Sequence, residues 1–90
     1  MAVAIAMRAR YFARLRELAG TEIEVVHVSV GATLSDAYEA ARAKHPALPE
    51  RGSVRGAVNQ EFAEWDAKIS NGDEVAFIPP VSGGMRCATT

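Results

Sequence analysis

The strict alternation of side chains over residues 3–11 constrains the fold more than any other feature of the chain. Apolar side chains occupy every second position, and this periodicity predicts a β-strand with one buried face. The predicted buried set is Val3, Ile5, Met7, Ala9 and Tyr11. Because the other face includes two arginines, it is expected to meet solvent. Such a strand needs a sheet with an apolar layer packed on one side.

The next segments predict two helices and a second strand. Residues 13–20 are good helix formers that end at a glycine, which predicts a short helix. Residues 21–30 are rich in β-branched side chains, and a change in their apolar phase predicts a bulge near Val25. Thr33 and Asp36 are spaced as the cap of a longer helix, which His45 and Pro46 should end.

The second half of the chain predicts three more strands. Residues 54–59 and 61–64 form two short ones around a turn at Asn59 and Gln60, and residues 74–78 alternate before the Pro79-Pro80 pair. This order of elements predicts an α+β domain whose mixed or antiparallel sheet packs one face on a helix. Two aromatic side chains in this half of the chain, Phe62 and Trp65, are predicted to cover the core.

Composition excludes several classes of function. Ninety residues form one domain, and a net charge of −1 supplies no field for nucleic acid or anionic lipid. His27 and His45 have no suitably spaced partners, so no metal site is predicted. The single cysteine, Cys87, and the lack of a long apolar run favour a cytoplasmic protein without membrane association.

The most distinctive feature near the C terminus is Gly83-Gly84, which follows the proline pair closely. Glycine has no Cβ, so this dipeptide fits a channel too narrow for other residues. The prolines set the direction in which the chain leaves the sheet. By itself the dipeptide is weak evidence for a function, because glycine pairs near a terminus more often belong to frayed ends.

Three segments in colinear order closely resemble the small subunits of molybdopterin synthase, a family of ubiquitin-like sulfur carriers. They are YFARLRELAG at residues 11–20, VNQ at residues 58–60 and NGDEVAFIPPVSGG at residues 71–84. The resemblance covers residues 3–84. It implies a β-grasp fold, a mixed sheet of about five strands on one main helix, over residues 1–80. It also implies a flexible diglycine tail over residues 81–84.

The resemblance implies a carrier without catalytic residues or a bound cofactor of its own. The carboxylate of Gly84 would be adenylated with ATP by a ubiquitin-activating-like enzyme and converted to a thiocarboxylate. A tail formed by Val81, Ser82 and Gly83 would then present the sulfur to the large synthase subunit. That subunit would transfer the sulfur to cyclic pyranopterin monophosphate during molybdenum cofactor biosynthesis.

The chain departs from the family pattern because residues 85–90 follow Gly84. An amide at Gly84 cannot be adenylated as a free carboxylate can, so we expect a protease to remove this extension. Two alternatives remain open: the extension is not part of the natural protein, or this copy has lost carrier function.

The resemblance also implies a partner interface beside the tail. Strand register turns Phe12 and Ile78 away from the core, next to Pro79, Pro80 and Val81. Four arginines, at positions 8, 10, 14 and 16, either rim this patch for an acidic partner or form an ordinary solvated face. Of these, Arg16 lies inside the matched segment and is assigned to the interface.

Two other functions stay open. A related carrier would serve thiamine, cysteine or tungsten-cofactor assembly. A ubiquitin-like interaction module would keep its C-terminal extension and would never form a thiocarboxylate.

Overall fold

The computed structural model describes residues 4–79. These residues form five strands, two α-helices and one turn of 3-10 helix at Arg51–Ser53. The strands are β1 (Ala4–Tyr11), β2 (Ile23–Ser29), β3 (Arg55–Val58), β4 (Glu61–Ala63) and β5 (Glu74–Ile78). The helices are α1 (Arg14–Ala19) and α2 (Leu34–Lys44).

The strands form one mixed sheet in the order β2-β1-β5-β3-β4. The two central strands, β1 and β5, run parallel, and the other neighbours are antiparallel. Helix α2 packs on one face, which we call the inner face. The opposite face is the outer face. This architecture confirms the expected α+β, β-grasp-like fold.

The alternation of β1 decides which side chains enter the core. Ile5, Met7, Ala9 and Tyr11 are buried as predicted, whereas Arg8 on the outer face is exposed. Residues of α2, β2 and β5 complete the same cluster, in which Tyr38 and Phe77 lie 4.8 Å apart between ring centroids. Among the described residues, no polar or charged residue falls in the buried class, so the core is held by apolar packing.

Helix α2 begins and ends where the sequence predicts. The Thr33 hydroxyl accepts a hydrogen bond from the Asp36 backbone N–H, and the Asp36 carboxylate accepts one from the Thr33 N–H. This reciprocal pair is a capping box, which satisfies two donors at the start of the helix. His45 caps the other end, immediately before Pro46.

The bulge predicted near Val25 is wrong. Strand β2 pairs with β1 residue by residue from Ser29 to Ile23 without an insertion. Ile23 and Val25 project from the exposed outer face, whereas Val26 and Val28 project into the core. A strand that is apolar on both faces imitates a phase change in sequence, and this explains the error.

The hairpin between β3 and β4 turns at Asn59 and Gln60, as predicted. Both have positive φ, 52° and 75°, and this conformation matches the twist of the strands that flank a two-residue turn. Asn59 is held further by its side chain, because its Nδ2–H donates to Asp73 and its Oδ1 accepts from the Glu74 N–H. The turn is therefore tied to the start of β5.

Gly56 marks the closest approach of the sheet to α2. A Cβ atom at this position would lie 2.6 Å from Cδ2 of Leu34, below any normal contact distance. Leu34 is completely buried, so its side chain has little room to move aside. The absence of a side chain at position 56 therefore sets the spacing between the two layers.

We expect Gly56→Ala to lower the free energy of unfolding by about 1–3 kcal/mol, because the added methyl group overpacks the layer against Leu34. Chemical denaturation of the two chains measures this difference. The double variant Gly56→Ala/Leu34→Val should recover part of the loss, because it removes the opposing methyl group. Gly52→Ala is the control, since a Cβ there meets no atom within 4 Å. Equal stability of Gly56→Ala and the unaltered chain would contradict the packing argument.

Candidate functional site

The outer face of the sheet carries a concave surface of about 320 Å³ next to the end of β5. We call it the outer groove. Its floor is formed by Ala57 and Ala76, which face each other across β3 and β5. The remaining lining residues are Arg10, Phe12, Gln60, Phe62, Glu74 and Ile78.

Parallel pairing of β1 and β5 places Phe12 and Ile78 at the same end of the sheet. Tyr11 pairs with Phe77, and the Phe12 backbone N–H donates to the Phe77 carbonyl at 3.2 Å. Phe12 follows Tyr11 and Ile78 follows Phe77, so the two residues lie side by side. Both side chains line the outer groove. Pro79 follows Ile78 directly and is the last residue that the structure describes.

The structure brings together only part of the predicted interface. Phe12, which is 40% exposed, lines the outer groove together with Ile78, whereas Arg16 lies on α1 and does not line it. Its assignment to the interface remains a prediction. The remaining predicted residues lie outside the described residues: Pro80, Val81, Ser82, Gly83 and Gly84. Residues 85–90, which we expect a protease to remove, lie outside them as well.

Phe62 is a groove residue that the sequence interpretation missed. It was predicted to cover the core, but it is 67% exposed, the largest value among the exposed bulky apolar residues of the described chain. In the hairpin it pairs with Ala57, whose side chain lies in the groove floor. The register from the Asn59-Gln60 turn could have revealed this orientation. Trp65, by contrast, packs against the core as predicted.

Charged side chains are organised around Glu74, whose side chain is only 17% exposed. Its two carboxylate oxygens lie 3.0 Å from Nη1 of Arg10 and 3.7 Å from Nη2 of Arg8. Arg10 also lies over the ring of Phe12, and Arg55 over the ring of Phe62, at 5.7 and 5.2 Å from the ring centroids. Each aromatic side chain of the groove is therefore paired with a guanidinium.

A polar cluster anchors the strand end that carries Phe12. The Tyr11 hydroxyl donates to Oε2 of Glu24 at 2.7 Å, and Nε2 of His45 donates to the same oxygen at 2.6 Å. Lys44 Nζ lies 3.5 Å from the other carboxylate oxygen. These contacts join β1, β2 and the end of α2 across segments that are far apart in sequence.

The cluster keeps Glu24 ionised and Tyr11 neutral. Burial by itself would raise the pKa of Glu24, but the hydrogen bonds from Tyr11 and His45 outweigh it and hold that pKa below its ordinary value. Burial, reinforced by the hydrogen bond to Glu24, raises the pKa of Tyr11 far above its ordinary range. The pair therefore holds a phenol donor against a carboxylate acceptor at neutral pH.

Residues 4–79 contain no group of three or more His, Cys, Asp or Glu side chains arranged to hold a metal ion. Within the same residues, neither helix is long and apolar enough to cross a bilayer. The outer groove is a depression on the sheet whose lining is mostly apolar and includes one ion pair, between Arg10 and Glu74. Its geometry suits the docking of another protein.

Comparison with known protein sequences identifies one family and relatives that share one name. A model of the ThiS family matches residues 9–84. The molybdopterin synthase sulfur carrier subunit of Escherichia coli is 40% identical over 76 residues, which cover 82% of this chain and 94% of that protein. The corresponding human subunit is 33% identical over 78 residues, which cover 82% of this chain and 89% of that protein.

Solved structures of similar proteins have the same fold as this chain. The crystal structure of SAMP1 from Haloferax volcanii has a TM-score of 0.79 and 36% sequence identity, and the match covers 88% of this chain and 99% of that chain. A molybdopterin converting factor subunit from Pyrococcus furiosus has a TM-score of 0.75 and 31% identity, and covers 86% and 99%.

The Glu24 cluster leads to a prediction about pH. Glu24→Gln should lower the free energy of unfolding at pH 7 by about 1–3 kcal/mol, because it weakens hydrogen bonds to a charged acceptor. A depressed pKa in the folded chain stabilises it above the ordinary carboxyl pKa, near 4.5, and this contribution is lost as pH falls further. The difference between the two chains should therefore shrink in acid.

Thermal or urea unfolding from pH 7 to pH 3 measures this difference. Glu22→Gln is the matched control, since Glu22 is an exposed carboxylate two residues away. If the stability curves of Glu24→Gln and the unaltered chain stayed parallel through the acid range, the ionised cluster would not stabilise the fold.

Proposed function

The chain belongs to the ThiS family, and we propose on this basis that it is the sulfur carrier subunit of a molybdopterin synthase, with sulfur held as a thiocarboxylate on Gly84. Relatives that bear this name cover most of the chain at 33–40% identity. One structural observation supports the proposal most directly. Strand β5 ends at Ile78 beside an exposed apolar groove, six residues before Gly84.

The position of the groove suits the delivery of a chain terminus. A partner that covers Phe12, Phe62 and Ile78 would hold the sheet end from which the sequence runs towards Gly84. From Ile78, six residues in extended conformation reach at most about 20 Å, which is enough to enter a neighbouring active site. The folded domain would fix the starting point, and the partner would supply the catalytic residues.

The proposed chemistry requires a free carboxylate at Gly84. A protease would first hydrolyse the peptide bond between Gly84 and Met85. A carboxylate oxygen would then attack the α-phosphorus of ATP on an adenylating enzyme, and pyrophosphate would leave. A hydrosulfide equivalent from a sulfur donor would next attack the acyl carbon and displace AMP, which leaves the thiocarboxylate.

The thiocarboxylate would then act as a nucleophile in the large synthase subunit. Its sulfur would bond to a carbon of cyclic pyranopterin monophosphate as an oxygen leaves that carbon, which gives a thioester. Water would then hydrolyse the thioester, which leaves the sulfur on the pterin and an ordinary carboxylate at Gly84. The carrier would return to the adenylating enzyme for another round. In this scheme the chain contributes recognition and a reactive terminus, and no catalytic side chain.

A second candidate comes from the small archaeal modifier protein 1 of Haloferax volcanii, which is 38% identical over 87 residues and is covered along its whole length. A protein modifier would join the activated Gly84 carboxyl group to a lysine amine of another protein. Carriers for thiamine, cysteine or tungsten-cofactor assembly would keep the thiocarboxylate but use a different acceptor. A module that retains residues 85–90 would do neither.

We expect the chain ending at Gly84 to exchange one oxygen for sulfur when it is incubated with the adenylating enzyme, ATP and a sulfur donor. Intact-protein mass spectrometry detects the exchange. The chain that retains residues 85–90 is the control and should not change in mass, because its Gly84 carbonyl is an amide. No mass change in either form would reject the carrier function. Covalent attachment to other proteins, with no sulfur gained, would favour the modifier.

We also expect Phe12→Ser/Ile78→Ser to bind the large synthase subunit at least about tenfold more weakly, because two apolar contacts are lost from one groove. Calorimetric titration measures the affinity. Ile23→Ser/Val25→Ser is the matched control, since it removes two exposed apolar side chains from β2 on the same face. Equal losses in both double variants would show that the outer groove is not the specific docking site.

A further inference from the structure

The outer face of the sheet is positively charged, although the chain as a whole is not. The protein has a net charge of −1. The strand residues on the outer face nevertheless include three arginines, Arg8, Arg10 and Arg55, and one carboxylate, Glu74. Glu74 is mostly buried and contacts both Arg8 and Arg10. An approaching protein would therefore meet exposed guanidinium groups and little negative charge.

Two guanidinium groups each lie over an aromatic ring of the groove. Arg10, which lines the outer groove, lies over Phe12. Arg55 is not a lining residue, but it lies over Phe62, which is one. Stacking on a ring limits the conformations of an arginine, so less entropy is lost when its donors pair with a carboxylate. A guanidinium thus lies beside each of the two aromatic residues of the groove.

Both arginines retain unused hydrogen-bond donors. Arg55 makes no ion pair among residues 4–79, and its side chain belongs to an exposed residue. Arg10 donates from Nη1 to Glu74 and its Nε–H is buried, but the side chain as a whole remains 37% exposed. A planar guanidinium in this state suits a carboxylate better than a neutral acceptor.

We propose that the partner protein that covers the outer groove carries carboxylate side chains that pair with Arg10 and Arg55, on either side of an apolar anchor between Phe12, Phe62 and Ile78. This inference rests on the proposed function, because it specifies the chemistry of the surface that the carrier docks against. The apolar anchor supplies affinity, and the two ion pairs select the partner and orient it on the groove.

Salt dependence tests the proposal with purified large subunit and adenylating enzyme as the probes. At about 50 mM NaCl, Arg10→Gln/Arg55→Gln should bind at least one of them about tenfold more weakly, and the loss should fall below about twofold near 0.5 M NaCl. Lys68→Gln is the matched control for Arg55→Gln alone, because each removes one positive charge from an exposed residue. Arg55→Gln alone avoids any disturbance of Glu74, and should retain part of the effect.

The outcomes separate this inference from the proposed function. If the arginine variants bind like the unaltered chain at both salt concentrations while Phe12→Ser/Ile78→Ser binds weakly, the carboxylate pairing is wrong and the carrier function stands. If the unaltered chain binds neither probe, both proposals fail. A loss in Lys68→Gln equal to that in Arg55→Gln would also overturn the inference, because net charge alone would then explain it.

Chemical coupling identifies the paired groups directly. Arg55→Lys places an amine at the groove, and a carbodiimide joins an amine to a carboxylate only when the two are in contact. We expect a cross-linked peptide between position 55 and an aspartate or glutamate of the partner, found by mass spectrometry. Coupling that involves only lysines outside the outer face would contradict the proposed pairing.

Discussion

Parallel pairing of β1 with β5 is the interaction on which the rest of this structure depends. It brings the first and last strands together at the centre of the sheet, so both end on the same side of the molecule. The hydrogen bond from the Phe12 N–H to the Phe77 carbonyl extends this pairing by one residue beyond β1. Without it, Phe12 and Ile78 would not share a surface, and the end of β5 would not lie beside an apolar groove.

The two faces of the sheet do different work because their side chains differ in kind. Inner-face residues pack with α2 into a core that contains no charged group among the described residues. On the outer face, a single shielded carboxylate holds two arginines near the middle of the sheet, and aromatic residues flank the adjoining groove. Desolvating such a surface is favourable only when a partner satisfies its cations. A partner that buries the groove would therefore have to supply acceptors for these arginines.

Most of the fold could be predicted because local patterns specify it. The alternation in β1, the Thr33 and Asp36 cap and the Asn59-Gln60 turn each act over a few residues, and the structure confirms all three. The apolar outer face of β2 misled the prediction of a bulge. Phe62 was misassigned because the three-residue strand β4 is too short to show a period.

The long-range polar contacts could not be predicted from local patterns. Glu24 and His45 are 21 residues apart, and Arg10 and Glu74 are 64 residues apart. The contacts within each pair depend on the register of the sheet. No spacing in the sequence therefore predicts them. The groove itself was partly predictable, since register alone turns Phe12 and Ile78 outward, but its floor depends on the pairing of β3 with β5.

Strand β2 forms one border of the sheet, and its backbone is regular throughout. Borders of this kind invite strands of other molecules to add on and start aggregates. Lys44, at the end of α2, places its ammonium group 3.5 Å from the Val25 carbonyl. An incoming strand would have to displace a hydrated cation from that carbonyl. Lys44, in the last turn of α2, therefore opposes the addition of another strand at this border of the sheet.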